Sequence, residues 1–146
     1  MSYISSIFHV VISTYRRERT ISDESRKELY FYIWGIIKNK HCKLIRMNGM
    51  PDHIHILLEI NPTVNLSDLI RDIKRSSSIW IKQNNVMPSF KKWSHEYAAF
   101  SCSFEAKERV KSYIINQQEH HKKEAFECEF NRLVEEHGLT LYHPKG

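Results

Sequence analysis

Two histidines separated by one residue are the first feature of this chain that could do chemistry. His53 and His55 lie in the apolar stretch PDHIHILLEI, residues 51–60, which is predicted to form a strand. Strand side chains alternate between faces, so both imidazoles point to one side and Ile54 and Ile56 point to the other. Two imidazoles placed in this way can bind one metal ion, but a pair this short is also compatible with structural histidines.

A second segment, VKSYIINQQEHHKKE at residues 110–124, could complete such a site. It is predicted to be helical, and Tyr113 and Gln117 are four residues apart on one helix face. His120 and His121 continue the same side one turn later. If this helix docks on the histidine face of the sheet, it supplies a third ligand. In the alternative, Tyr113 packs its ring and Gln117 is solvated.

The order of predicted elements indicates the fold that must position these residues. Strands are predicted at 6–14, 42–50, 51–60 and 97–104, and helices at 22–40, 65–84, 105–121 and 124–137, the first capped by Ser22 and the last ended by Gly138. The order predicts an α+β, ferredoxin-like βαββαβ domain, with an antiparallel sheet, helices on one face and a C-terminal helical extension carrying Tyr113. We expect residues 1–146 to form a single domain.

Positive charge favours a polyanionic partner. The 146 residues include 22 Lys and Arg against 17 Asp and Glu, a net charge of +5. Three clusters are candidate phosphate contacts: Arg16 and Arg17 after the first strand, Arg71, Lys74 and Arg75 on the second long helix, and Lys91 and Lys92 before the fourth strand. For any one of these residues a solvated surface position is equally compatible. Trp93, beside the last cluster, could stack on a base or belong to the core.

Other classes of protein are disfavoured by the same sequence. No apolar run approaches a membrane span, and the N-terminal stretch IFHVVI is too short for a signal-peptide core, so a cytoplasmic location is predicted. Cys42, Cys102 and Cys128 are far apart and form no CxxC pair, which predicts three reduced thiols and no thiolate zinc site.

Four motifs in a fixed order carry a family resemblance. HVVISTYRR, DHIHILLEI, WSHEYAAFSCS and YIINQQEHH span residues 9–121, and the similarity extends over about residues 7–138. Together they resemble the single-tyrosine HUH transposases of small bacterial insertion sequences, the IS200-like family, which includes the REP-associated tyrosine transposases.

The resemblance implies specific roles. His53 and His55 would bind a divalent metal, Mg²⁺ or Mn²⁺, which Gln117 completes, and Tyr113 would be the nucleophile. Gln118 follows directly, and His120 and His121 stay open as competing third ligands. The family acts on single-stranded DNA with hairpins at the element ends. It works as a homodimer in which the tyrosine helix can serve the partner's metal site, and here it implies a bacterial or archaeal, nucleoid-associated protein.

The implied reaction suits these residue types. A phenol with its usual pKa of about 10 is a poor nucleophile and needs activation. Attack by the Tyr113 oxygen on a DNA phosphate would form a covalent 5′-phosphotyrosine and release a 3′-hydroxyl, and reversal would rejoin DNA. The base that takes the phenolic proton stays open between His120, His121 and water. Two alternatives also stay open: a non-catalytic or host-domesticated RNA- or DNA-hairpin-binding module, and a metallohydrolase that does not use Tyr113.

Overall fold

The computed structural model describes residues 2–120 and 126–136. The strands are β1 (Ile7–Thr14), β2 (Lys43–Met50), β3 (His53–Glu59) and β4 (Trp93–Cys102), and a 3₁₀ turn, Tyr15–Arg17, follows β1. The helices are α1 (Arg26–Asn39), α2 (Leu66–Asn84), α3 (Lys107–Ile115), α4 (Gln117–His120) and α5 (Phe126–Glu136).

The four strands form one antiparallel sheet in the order β2-β3-β1-β4. The two central strands are β1 and β3, and β3 carries the histidine pair. This order, with βαββαβ connectivity, is the predicted ferredoxin-like arrangement, so the prediction of the fold class is confirmed.

One face of the sheet packs against α1 and α2. Alternate residues of β1 and β3, among them Ile12 and Ile54, meet buried residues of the two helices, such as Leu29 and Ile73. The helical period that places these apolar residues on one side of each helix therefore builds the main core. Asn65 caps α2, because its side-chain oxygen accepts a hydrogen bond from the backbone N–H of Asp68 at 3.1 Å.

The opposite face, which carries the histidines, is covered by the C-terminal helices. Ile114 of α3 packs against Ile7 and Leu57. Leu133 of α5 packs in a separate cluster with Val11, Ala98 and Phe100. The predicted docking of helices on this side is therefore present, and the histidines lie inside the protein between sheet and helix.

Three elements differ from the predictions by more than a shift of two residues at an end. The first helix begins at Arg26, because the Ser22 hydroxyl accepts from the N–H of Ser25 at 3.3 Å in a turn that precedes the helix. The continuous helix predicted over 105–121 is broken between α3 and α4. At the break the Asn48 side-chain amide donates to the carbonyls of Ile114 and Ile115 at 3.0 and 3.2 Å.

The fourth strand begins four residues earlier than predicted, at Trp93. The Trp93 ring is buried, and its indole N–H donates to the Ser77 hydroxyl at 2.9 Å. Trp93 therefore belongs to the core. The stop predicted at Gly138 lies outside the described residues, and within the described part no helix has the length and hydropathy needed to cross a membrane.

The close approach of β2 to β3 at Gly49 gives a test of this packing. A Cβ at Gly49 would lie 2.3 Å from the carbonyl oxygen of His53 and 2.8 Å from the Cα of Ile54. Since both are backbone atoms, we expect Gly49→Ala to lower the free energy of unfolding by at least about 1–3 kcal/mol in urea denaturation. Gly35 of α1 has no such neighbour within 4 Å, so Gly35→Ala should instead stabilise by about 0.5–1 kcal/mol. Equal effects at both positions would contradict this account.

Candidate functional site

His53 and His55 converge on a carboxylate of α5. Both imidazoles are fully buried, and their Nε2 atoms lie 3.5 and 3.1 Å from Oε1 of Glu129. The three side chains offer ligand atoms that all lie within 4.8 Å of one another. Two imidazole nitrogens and one carboxylate oxygen at this spacing could hold a divalent ion.

The other ring nitrogen of each histidine is also held. Nδ1 of His53 lies 2.7 Å from Oδ1 of Asp52, and Nδ1 of His55 lies 2.7 Å from Nε2 of the buried His9. If each Nδ1 carries the hydrogen and donates it to these acceptors, the lone pairs on both Nε2 atoms face the centre. Such contacts orient ligand imidazoles and select their tautomer in metal sites.

Asp52 and Glu129 also change the proton affinity of His53. Burial alone lowers the pKa of this imidazole. The hydrogen bond to Asp52 and the negative charges of Asp52 and the nearby Glu129 outweigh burial, so the pKa of His53 is raised above its ordinary value. Burial acts to raise the pKa of Asp52, but the hydrogen bond and charge of His53 prevail and lower it.

The second carboxylate oxygen of Glu129 joins the tyrosine to the histidines. Oε2 accepts hydrogen bonds from the Tyr113 hydroxyl and, at 3.1 Å, from the side-chain amide of Gln117. Gln117 and Glu129 are both fully buried. Phenol, amide and both imidazoles therefore meet at one carboxylate, and every one of these contacts lies within a single chain.

Tyr113 is half-buried and lies between opposite charges. Nη2 of Arg132 donates to its hydroxyl oxygen at 3.1 Å, and the guanidinium lies 5.8 Å from the ring centroid. Burial, together with the hydrogen bond and the charge of Glu129, raises the pKa of the phenol above its usual value, although Arg132 and Gln117 act in the other direction. Tyr113 is therefore a neutral phenol at physiological pH in this conformation.

The two neighbouring glutamines have different partners. Gln117 faces the centre, whereas Gln118 exchanges hydrogen bonds with the Asn48 side chain, both at 3.0 Å, and donates to the Gly49 carbonyl at 3.1 Å. Asn48 thus fastens the end of α3 and the start of α4 to β2. Of the competing ligands, His121 and the side chain of His120 lie outside the described residues.

The basic clusters lie in different places. Arg16 and Arg17 are exposed in the turn after β1, with Lys91 and Lys92 close by: Lys91 lies 3.4 Å from Glu18, and Lys92 lies 4.6 Å from the ring centroid of Tyr15. The α2 cluster lies on the helix that covers the other face. There Arg71 is 3.4 Å from Asp68, Arg75 is exposed, and the Lys74 ammonium binds backbone carbonyls of β4.

The sequence prediction missed Glu129 and His9. The sequence does carry one signal for Glu129. Its spacing from Phe126, Phe130 and Leu133 puts it on the apolar side of an amphipathic helix, where a carboxylate needs a partner. The sequence signal for His9 was weaker. Both faces of β1 are apolar, so alternation alone could not assign His9 to the face of His55.

The chain is similar to known transposases in sequence. Residues 2–117 match the model of the family described as "Transposase IS200 like". The chain is 23% identical over 119 residues to the ISDra2 transposase TnpA of Deinococcus radiodurans, which covers 77% of this chain and 84% of that protein.

Two solved structures share the fold. A crystal structure of a transposase from Deinococcus radiodurans superposes with a TM-score of 0.62 at 22% identity, over 80% of this chain and 95% of that one. A REP-associated tyrosine transposase bound to a REP hairpin superposes with a TM-score of 0.58 at 16% identity. The match covers 80% of this chain and 68% of that one. With the family model matching most of its length, the chain belongs to the IS200-like transposase family.

Proposed function

We propose that this protein is a metal-dependent single-stranded DNA transposase that cleaves and rejoins DNA through a covalent 5′-phosphotyrosine at Tyr113. The observation that supports this most is the convergence at Glu129. The phenol of Tyr113 and the amide of Gln117 bond to the same carboxylate that His53 and His55 face. A nucleophile and a set of metal ligands thus share one centre.

The donor set fits a divalent ion. Among the described residues the side-chain oxygen of Gln117 is buried and has no hydrogen-bond partner. An orphaned amide oxygen beside two imidazoles and a carboxylate is a suitable ligand for Mg²⁺ or Mn²⁺. His53, His55, Gln117 and Glu129 would hold the ion. When bound, it would polarise a phosphate oxygen and neutralise negative charge that develops in the transition state.

The residues of the chain supply the strand transfer itself. The hydroxyl oxygen of Tyr113 forms a bond to phosphorus as the bond from phosphorus to the 3′-oxygen breaks. The 3′-oxygen leaves and takes up a proton, and the phenol loses its own. The base stays open between solvent and Glu129, which accepts the phenolic hydrogen bond. Arg132, next to the phenol oxygen, is placed to stabilise negative charge on it.

The DNA would lie along the basic clusters, with Arg16, Arg17, Lys91 and Lys92 nearest to the end of β1. The structural relative bound to a REP hairpin supports a hairpin substrate for this chain as well. Arg71 and Arg75 would contact phosphates from the other face, whereas the ammonium of Lys74 already donates to three carbonyls of β4. The homodimer implied by the family resemblance, with active sites shared between subunits, remains a prediction.

A metal titration tests the ligand set. We expect Mn²⁺ at about 100 times its Kd to raise the Tm by roughly 5–10 °C, because it binds only the folded state. Glu129→Gln should weaken Mn²⁺ binding roughly tenfold or more in isothermal titration calorimetry. Glu135→Gln removes the same charge at an exposed position of the same helix and should leave the affinity unchanged. Equal or tighter binding by Glu129→Gln would remove Glu129 from the ligand set.

Covalent trapping tests the nucleophile. With Mn²⁺ and end-labelled single strands from the flanks of its own gene, the wild type should give a protein-linked band on a denaturing gel, and chelator should abolish it. Tyr113→Phe should lose the band and keep strand binding within about twofold. Tyr32→Phe, on α1 at the other face, should keep both. A Tyr113→Phe protein that still forms the adduct would contradict the assignment. Strand binding without an adduct in the wild type would favour the hairpin-binding module.

A further inference from the structure

A surface cavity of about 320 Å³ lies next to the histidine centre, between the end of β1 and the start of β4. Ser13, which lines it, pairs with His53 in the sheet, and Phe130, on its other side, follows Glu129 in α5. Adjacent strands are about 4.8 Å apart, so a ligand in this cavity would be a close neighbour of a phosphate at the centre.

A bulge in β4 creates the space. Ile12 pairs with Tyr97 and Thr14 with Trp93, so the single β1 residue between them faces three β4 residues, 94–96. The Lys74 ammonium holds this bulge, donating to the carbonyls of residues 94, 95 and 96 at 2.9, 3.1 and 3.4 Å. Bulges of this kind commonly occur beside functional sites, where they redirect side chains. Lys74 therefore shapes the cavity wall.

The turn after β1 brings two arginines to the cavity. Arg16 and Arg17 both line it, and both have a left-handed backbone with φ of 55°, which costs about 1–2 kcal/mol for each residue. The turn is held by a bond from the N–H of Tyr15 to the carbonyl of Lys92 at 2.9 Å. Two guanidinium groups beside a cavity are suited to bind a phosphate.

The rest of the lining suits a nucleobase. Phe130 supplies an aromatic ring, and the guanidinium of Arg17 lies 5.9 Å from its centroid, whereas the ring of Tyr97 packs on the α2 side beneath the Lys74 ammonium. Bases stack on rings and guanidinium groups of this kind in single-strand sites. Glu96, exposed at the bulge, adds a carboxylate, which at neutral pH only accepts hydrogen bonds. A cavity of this volume is at the small end of ligand pockets, so it could take one nucleotide and no duplex.

We propose that this cavity binds one nucleotide of the single strand beside the cleaved phosphate, and that Glu96 favours a base with an exocyclic amino group over thymine. Arg16 and Arg17 hold its phosphate. The carboxylate of Glu96 accepts from the amino group, whereas the one N–H donor on the pairing edge of thymine lies between two carbonyl oxygens that repel a carboxylate. This inference rests on the proposed function in one respect, that the bound strand is DNA.

The test compares two pyrimidine strands in chelator, where no cleavage occurs. Fluorescein-labelled dC12 and dT12 are titrated with the full chain at pH 7.5, and Kd is read from anisotropy. The wild type should bind dC12 roughly tenfold more tightly than dT12. In Glu96→Gln the ratio should fall toward one, since an amide both donates and accepts. Glu28→Gln, an exposed change on α1 across the sheet, should keep the ratio.

Substitution of Arg16 or Arg17 should lower the affinity for both strands without changing the preference between them. Arg16→Ala and Arg17→Ala should weaken dC12 and dT12 equally, and each should reduce the slope of log K against log salt by about 0.7. Arg46→Ala, an exposed arginine on β2, is the matched control. Equal affinity of the wild type for both strands, or a tenfold ratio that survives Glu96→Gln, would overturn the proposal. Base preference without a metal-dependent adduct would instead contradict only the transferase reaction.

Discussion

The buried carboxylate of Glu129 is the interaction on which the histidine side of this structure depends. An ionised carboxylate that is fully removed from water is very costly unless its oxygens are paired. Here the phenol of α3 and the amide of Gln117 donate to Oε2, and Oε1 lies 3.5 and 3.1 Å from the Nε2 atoms of His53 and His55, where a shared proton or a divalent ion would pair it. Leu133, one turn further along α5, packs on the sheet and keeps the carboxylate in place. The centre and the docking of α5 therefore support each other.

The same arrangement limits access to the centre. His53, His55, Gln117 and Glu129 are all fully buried in this conformation, so a phosphodiester contacts them only after the covering side chains shift. The small cluster that holds Leu133 is separate from the main core under α1 and α2, so less apolar packing fixes α5 than fixes α1 and α2. By contrast, the paired amides of Asn48 and Gln118 keep α3 and α4 on β2.

Much of this architecture could be predicted from the sequence, because it depends on local patterns. Period-two alternation assigned His53 and His55 to one face, and the four-residue spacing predicted Tyr113 and Gln117 on one side, which holds although the helix breaks at Asn116 between them. Glu129 and His9 were missed because their roles depend on contacts 74 and 46 residues away in the chain. The start of β4 was missed for a similar reason. Lys74 of α2 satisfies the carbonyls of the bulge, and no local pattern carries that information.

The measurement that tests the central claim most directly is a crystal structure of the wild-type protein soaked with Mn²⁺, with anomalous diffraction to locate the ion. We expect an anomalous peak between Nε2 of His53, Nε2 of His55 and Oε1 of Glu129, at roughly 2.0–2.3 Å from each atom. The side-chain oxygen of Gln117 should turn toward the peak. A peak elsewhere, or no peak while Glu129 stays between the two imidazoles, would contradict a metal centre at this position.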